Sequence, residues 1–154
     1  MPARTFKFKL QTVLDHKQKQ EEEEQRELVR RKDILAKEER RLKRLKDIQE
    51  TRKRELAEKS AQGLLNVEEI QMYHQFQKRL SAEISAQSIR VQQAQADVEW
   101  QREKLLEAMK ERKTYEKLKE KHYQAWLAET EAEERKLLDE IATTKFDRNG
   151  ENFF

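Results

Sequence analysis

Cysteine is absent from the 154 residues, proline occurs once, at Pro2, and glycine twice, at Gly63 and Gly150. Without cysteine there is no disulfide framework, no thiolate nucleophile and no cysteine metal site. Between Phe6 and Ala142 the only glycine is Gly63 and there is no proline, so long uninterrupted helices are the default expectation. His16, His74 and His122 are the only histidines and stand far apart. None has a second ligand type at metal-chelating helical spacing, and each reads as a solvated helical residue. No glycine-rich loop is present to cradle a phosphate. Carboxylates abound, but a catalytic pair needs a cavity that shifts its pKa values, which a two-helix rod does not offer. The sequence therefore predicts no enzyme, no metal and no cofactor. No stretch approaches the ~20 apolar residues of a membrane span. The opening Met1-Pro2-Ala3-Arg4-Thr5-Phe6 lacks the apolar core of a signal peptide. These absences predict a soluble, cytoplasmic protein.

What remains is charge. Asp, Glu, Lys and Arg make up 42% of the chain against 35% apolar residues, too little apolar material for a compact core. Disorder is the competing expectation for such a composition. The net charge is only +3, however, and the apolar residues are periodic, which favours coiled coil. Residues 1–60 carry 19 cations and 13 acids, whereas residues 61–154 carry 15 and 18. Arms of opposite sign suit association with each other.

The first arm repeats every seven residues. Leu14, Glu21, Leu28, Leu35, Leu42, Gln49 and Leu56 share one heptad position; Leu10, Lys17, Glu24, Arg31, Glu38, Leu45 and Arg52 share its companion. The seam is half apolar and weak as coiled coils go. Glu22–Arg26, Glu27–Arg31, Asp33–Lys37, Glu39–Lys43, Glu50–Arg54 and Glu55–Lys59 are acid-to-base pairs four residues apart. Each is expected to add roughly 0.2–0.5 kcal/mol to the helix. The second arm carries Ile70, Gln77, Ile84, Val91, Val98 and Leu105 at one position and Tyr73, Leu80, Gln87, Ala94, Gln101 and Ala108 at the other. Beyond Leu105 the same register meets Arg112 and Lys119 before Trp126, so the pattern is expected to decay or slip.

Gly63 is placed to end the first helix in a left-handed conformation. Asn66-Val67-Glu68-Glu69 has the form of a capping box, with Leu65 and Ile70 at the spacing of a hydrophobic staple. The expected fold is all-α, a single long two-helix antiparallel coiled-coil hairpin whose second helix is the longer. Its first helix should run over about 6–60, the turn over about 61–66 and the second helix over about 67–142. A frayed tail should occupy 143–154. Counting outward from Gly63, the second helix should lose its partner beyond about Gln124. That would expose Trp126, Leu127, Leu137, Leu138 and Ile141, and such bare apolar groups mark partner surfaces.

The basic run Arg40-Arg41-Leu42-Lys43-Arg44-Leu45-Lys46 admits a nucleic-acid reading. Its leucines fall at core spacing and Glu38, Glu39 and Asp47 flank it, so a solvated or acid-facing helical surface is the better reading. No nucleic acid is expected as partner. A self-associating scaffold, dimerising through the bare tail, is a further alternative.

Three segments in order resemble the FliJ family of flagellar type III export proteins. They are Phe6-x-Phe8-x-Leu10-x-x-Val13-Leu14, then Arg112-Lys113-x-x-Glu116-Lys117-Leu118-Lys119-Glu120-Lys121, and last Glu134-Arg135-Lys136-Leu137-Leu138-Asp139-Glu140-Ile141-Ala142. The resemblance covers nearly the whole chain and rests on the order and spacing of these segments. It implies a non-enzymatic stalk, similar to those of rotary ATPases, that binds the hexameric export ATPase and promotes its assembly and activity. It also implies links to the export gate membrane protein and to export chaperones. The protein would sit at the cytoplasmic face of the membrane at the flagellar base, held there through partners only. Injectisome stalk proteins of virulence-type secretion look similar. On this resemblance Phe6, Phe8, Leu10, Trp126, Leu137, Leu138 and Ile141 would face the ATPase, and Tyr73, His74 and Phe76 the gate.

Overall fold

In the computed structural model, which describes residues 4–151, the chain is all-α. Helix α1 spans Gln11–Ala61 and helix α2 spans Val67–Glu151, so the second is the longer. The contacts divide the chain into two compact units. One joins Met1–Gln20 to Ala108–Phe154, and the other is Glu21–Glu107.

The unit Glu21–Glu107 is an antiparallel helix pair closed by the turn at Gly63. Gly63 has φ of 69° and is the one described residue in the left-handed region. Around it the Leu64 amide donates to the Lys59 carbonyl at 3.1 Å and the Gly63 amide to the Ser60 carbonyl at 3.2 Å. This double closure satisfies carbonyls that the helix end would otherwise leave open. Asn66 then opens α2, its Oδ1 accepting from the Glu69 amide at 2.8 Å. A Cβ added at Gly63 would meet nothing within 4 Å, so a substitution there is opposed by backbone conformation alone. Gly63→Ala is therefore expected to destabilise the chain by about 1 kcal/mol, read as a lower urea midpoint with unchanged slope.

The seam of this unit follows the expected heptads. Leu28, Leu80, Val91, Ala94 and Val98 are buried. Two of its buried residues are glutamines, Gln87 at 2% exposure and Gln101 at 1%. Gln87 Nε2 donates to the Glu38 carbonyl at 3.0 Å and also to the Glu38 carboxylate. Gln101 Nε2 does the same to Glu24, with its carbonyl at 3.0 Å. Buried amides without partners would be costly, and these are satisfied. Of the six expected helical ion pairs, Glu22–Arg26, Glu27–Arg31 and Glu50–Arg54 form, at 4.0, 3.2 and 3.5 Å.

The other unit contains α1 only from Gln11 to Gln20, beside α2 from Ala108 onward. Residues 4–8 are extended rather than helical, a correction to the expected start near residue 6. The cause is the alternation of Phe6, Phe8 and Leu10. In an extended chain alternate side chains share a face, and here Phe8 is buried and Phe6 and Leu10 are half-buried while Lys7 and Lys9 are exposed. Extended chain also advances about 3.3 Å per residue, more than twice the helical rise. The segment therefore reaches far along α2: Phe8 meets His122, Phe6 meets Tyr123 and Trp126, and Arg4 pairs with Glu133. The expected loss of partner beyond Gln124 is displaced accordingly, and every side chain from Glu131 to Gly150 is exposed.

Within this unit the seam register holds through Arg112, Tyr115 and Lys119, each half-buried because long amphipathic side chains can cover the seam with their stems while their polar ends reach water, and then decays, with His122 and Glu129 exposed and Trp126, Leu127 and Thr130 half-buried. Helix α2 does not end at 142: it continues through Asn149 and Gly150 to Glu151. One glycine in a helix costs only about 1 kcal/mol, and the hydroxyls of Thr143 and Thr144 bond back to the Asp139 and Glu140 carbonyls at 2.8 Å. The remainder of the expected frayed tail, 152–154, lies outside the described residues.

Candidate partner-binding site

The residues expected to face an ATPase separate into two groups. Phe6, Phe8 and Trp126 belong to an aromatic clasp that fastens the leading segment to α2, and Leu10 beside it is half-buried. Phe6 stands edge-on to Tyr123 with centroids 5.3 Å apart and lies 5.9 Å from Trp126. Tyr123 and Trp126 are stacked at 5.9 Å, one helical turn apart on the same face. Phe8, 8% exposed, packs edge-on to His122 at 5.5 Å. Each such aromatic pair adds about 0.5–1.5 kcal/mol to the burial itself. Tyr123 escaped the sequence reading and His122 was read only as a solvated helical residue, although their spacing to Trp126 puts all three on one helical face.

Polar contacts frame the clasp. Arg4 meets Glu133 at 2.6 Å, with both side chains more than half exposed. Such a pair contributes about 0–1 kcal/mol. Further in, Lys17 donates to Glu111 at 2.9 Å. This hydrogen bond holds the Lys17 ammonium above the usual lysine range, against a smaller opposing effect of desolvation. Any stability it adds is present below the ordinary lysine pKa and is lost as pH rises through the raised value.

The second group is bare. Leu137, Leu138 and Ile141 are 48%, 64% and 45% exposed, and Phe146 is exposed as well. A shallow groove of about 330 Å³ runs along this part of α2, lined by Leu137, Glu140, Ile141, Thr144, Lys145 and Arg148. Along it Leu137 and Ile141, with Glu140 beside them, give way to Lys145 and Arg148, and among the described residues none covers these side chains.

The expected gate-facing residues lie in the other unit. Tyr73 is half-buried and its hydroxyl accepts from Gln77 Nε2 at 2.9 Å. His74 is exposed, edge-on to Tyr73 at 5.9 Å. Phe76 is partly covered by the Arg52 guanidinium, 5.5 Å above its ring. Tyr73 and Phe76 line an open groove of about 370 Å³ together with Leu56, Leu65 and Met72. His74 does not line it. The residues Arg40, Arg41, Lys43, Arg44 and Lys46 of the basic run are all exposed, whereas Leu42 and Leu45 turn into the seam.

Among the described residues no group of three or more His, Asp or Glu side chains is arranged to hold a metal ion. Nor, among the described residues, is any helix long and apolar enough to cross a membrane. A family model described as Flagellar FliJ protein matches residues 6–151. The chain belongs to the FliJ family and is a flagellar export-related protein. No curated protein and no solved structure matches it.

Proposed function

We propose that this chain is the non-catalytic stalk of the flagellar type III export apparatus. In this reading it binds the hexameric export ATPase, promotes its assembly and activity, links it to the membrane export gate and takes part in export-chaperone cycling. It would stand at the cytoplasmic face of the membrane at the flagellar base. The observation that carries the reading is the bare stripe of Leu137, Leu138 and Ile141 on α2, beyond the reach of the leading segment. An α-helix with an uncovered apolar stripe inserts into a groove of a partner by its i, i+3 and i+4 side chains. The Phe6–Trp126 clasp then serves to hold α2 in place, and is not itself a docking surface. The groove at Tyr73 and Phe76, with His74 beside it, is the proposed gate contact.

The test is a binding measurement between the full chain and the export ATPase. Leu137→Asp with Ile141→Asp should weaken binding at least tenfold while the helical circular dichroism is unchanged. Tyr73→Ala with Phe76→Ala should leave ATPase binding intact and weaken binding to the export gate. Undiminished ATPase binding by the Leu137/Ile141 variant overturns the assignment of the stripe.

A further inference from the structure

The unit Glu21–Glu107 carries a one-sided concentration of positive charge that its own carboxylates do not neutralise. Ile34, Arg41 and Ile48 occupy one heptad position of α1, flanking the seam, and Lys37 and Arg44 occupy the adjacent one. In an antiparallel pair the corresponding flank of α2 lies along the same side, and it brings Arg79 and Arg90 with Glu83 as its one acid. All of these side chains are exposed.

Most arginines elsewhere in the unit do find partners: Arg26, Arg30, Arg31, Arg52, Arg54 and Arg102 each pair with a glutamate three or four residues away, Arg40 being the exception. Lys37, Arg41, Arg44, Arg79 and Arg90 form no ion pair among the described residues. Glu38 is turned into the seam by Gln87 and Glu39 lies on the opposite flank of α1, while Asp33 and Asp47, within helical reach of Lys37 and Arg44, form no ion pair with them. Five unpaired cations on one flank, with Ile34 and Ile48 exposed at its two ends, face solvent at 53% and 43%.

We infer that this flank is a docking surface for an anionic lipid bilayer. The chemistry favours lipid over nucleic acid on two counts. Single-stranded nucleic acid is held by aromatic platforms set in a basic groove, whereas the rings on this flank, Phe76 and Trp100, stand beyond the cations at its two ends and are already covered by Arg52 and Arg31. Aliphatic side chains bracketing the cations instead suit a headgroup layer, where cations meet phosphate and aliphatic groups sink toward the acyl boundary. A bilayer also senses charge only within about a Debye length, ~8 Å at physiological salt. The local flank therefore governs this contact, and the small net charge of the chain does not oppose it. This inference stands on the flank alone and does not depend on the ATPase or gate assignments.

The test uses the full chain with sedimented vesicles of phosphatidylcholine, with and without phosphatidylglycerol. Binding should require phosphatidylglycerol and fall with added salt. Arg41→Gln with Arg44→Gln should weaken it roughly 25-fold, taking about fivefold per cation. Ile34→Ser with Ile48→Ser should weaken it with the salt dependence unchanged. Lys43→Gln with Lys46→Gln, on the opposite flank, should have a much smaller effect. Circular dichroism checks that each variant remains helical. Equal binding to both vesicle types overturns the inference, as does an equal loss in the Lys43/Lys46 variant. Tighter binding to a duplex or single-stranded oligonucleotide, with the same dependence on Arg41 and Arg44, assigns the flank to nucleic acid instead.

Discussion

A chain that ends at Glu133 is expected to keep its helix pairing and to lose stimulation of the export ATPase entirely. The removed part contains Leu137, Leu138 and Ile141, and every described side chain from Glu134 to Gly150 is exposed, so little folding energy leaves with it. A chain that ends at Gln124 behaves differently, because it also lacks Trp126. Phe6 then loses one of its two ring contacts and Arg4 loses Glu133. That clasp loss is expected to cost about 1–3 kcal/mol, from one aromatic pair and part of a phenylalanine's burial. Comparing the two truncations separates docking from folding: urea denaturation should distinguish them, whereas ATPase turnover should not. Full stimulation by the Glu133-terminated chain would move the ATPase contact to another surface.

The helix pair was legible because its signals are local and unopposed. Gly63 and Asn66 each do at the turn what their residue types do in general, and no other breaker competes between Phe6 and Ala142. The seam positions likewise follow from counting sevens. The leading segment was misread because its signal has period two inside a protein of period seven. Phe6-x-Phe8-x-Leu10 alternates as a half-buried extended chain does, and the helical pattern of its neighbours hides this. The consequence reached the candidate site, since helical geometry would have left Trp126 bare and extended geometry covers it. The end of α2 was set too early for the opposite reason, because one glycine and one asparagine were weighed as a stop where no proline enforces it. The expectation for Leu137, Leu138 and Ile141 survived because they lie far enough past the shorter arm that the error in the leading segment did not matter, and among the described residues all three are exposed.

Replacing both buried glutamines by leucine should make the protein more stable and less specific. Gln87 and Gln101 stand two heptads apart on α2, and their acceptors Glu38 and Glu24 stand two heptads apart on α1 in the opposite direction. Among the antiparallel heptad registers only one gives both amides a carboxylate acceptor. A slip of one heptad either way brings Gln101 to Lys17 or Arg31, and Gln87 to Arg31 or Leu45, by the same counting. After a slip the amide can still donate to a backbone carbonyl and turn its oxygen to accept from a lysine or arginine, but Nε2 loses its carboxylate acceptor, a charge-assisted bond of about 1.5–3 kcal/mol. Register is therefore fixed by making the alternatives worse, as a buried polar residue does in other coiled coils at a cost in stability. Leucine at both positions removes that discrimination while adding apolar burial of about 1.5–3 kcal/mol per side chain. The half-buried Glu24 and Glu38 carboxylates are then free to turn toward water, which offsets part of the gain. A net rise of about 1–3 kcal/mol for the double variant follows, together with concentration-dependent association, as an uninterrupted Leu-Val-Ala seam accepts a second copy. Denaturant midpoints and light scattering over a concentration series read the two effects separately. A double variant less stable than the parent, and still monomeric wherever the parent is, would show that the amides stabilise this seam outright.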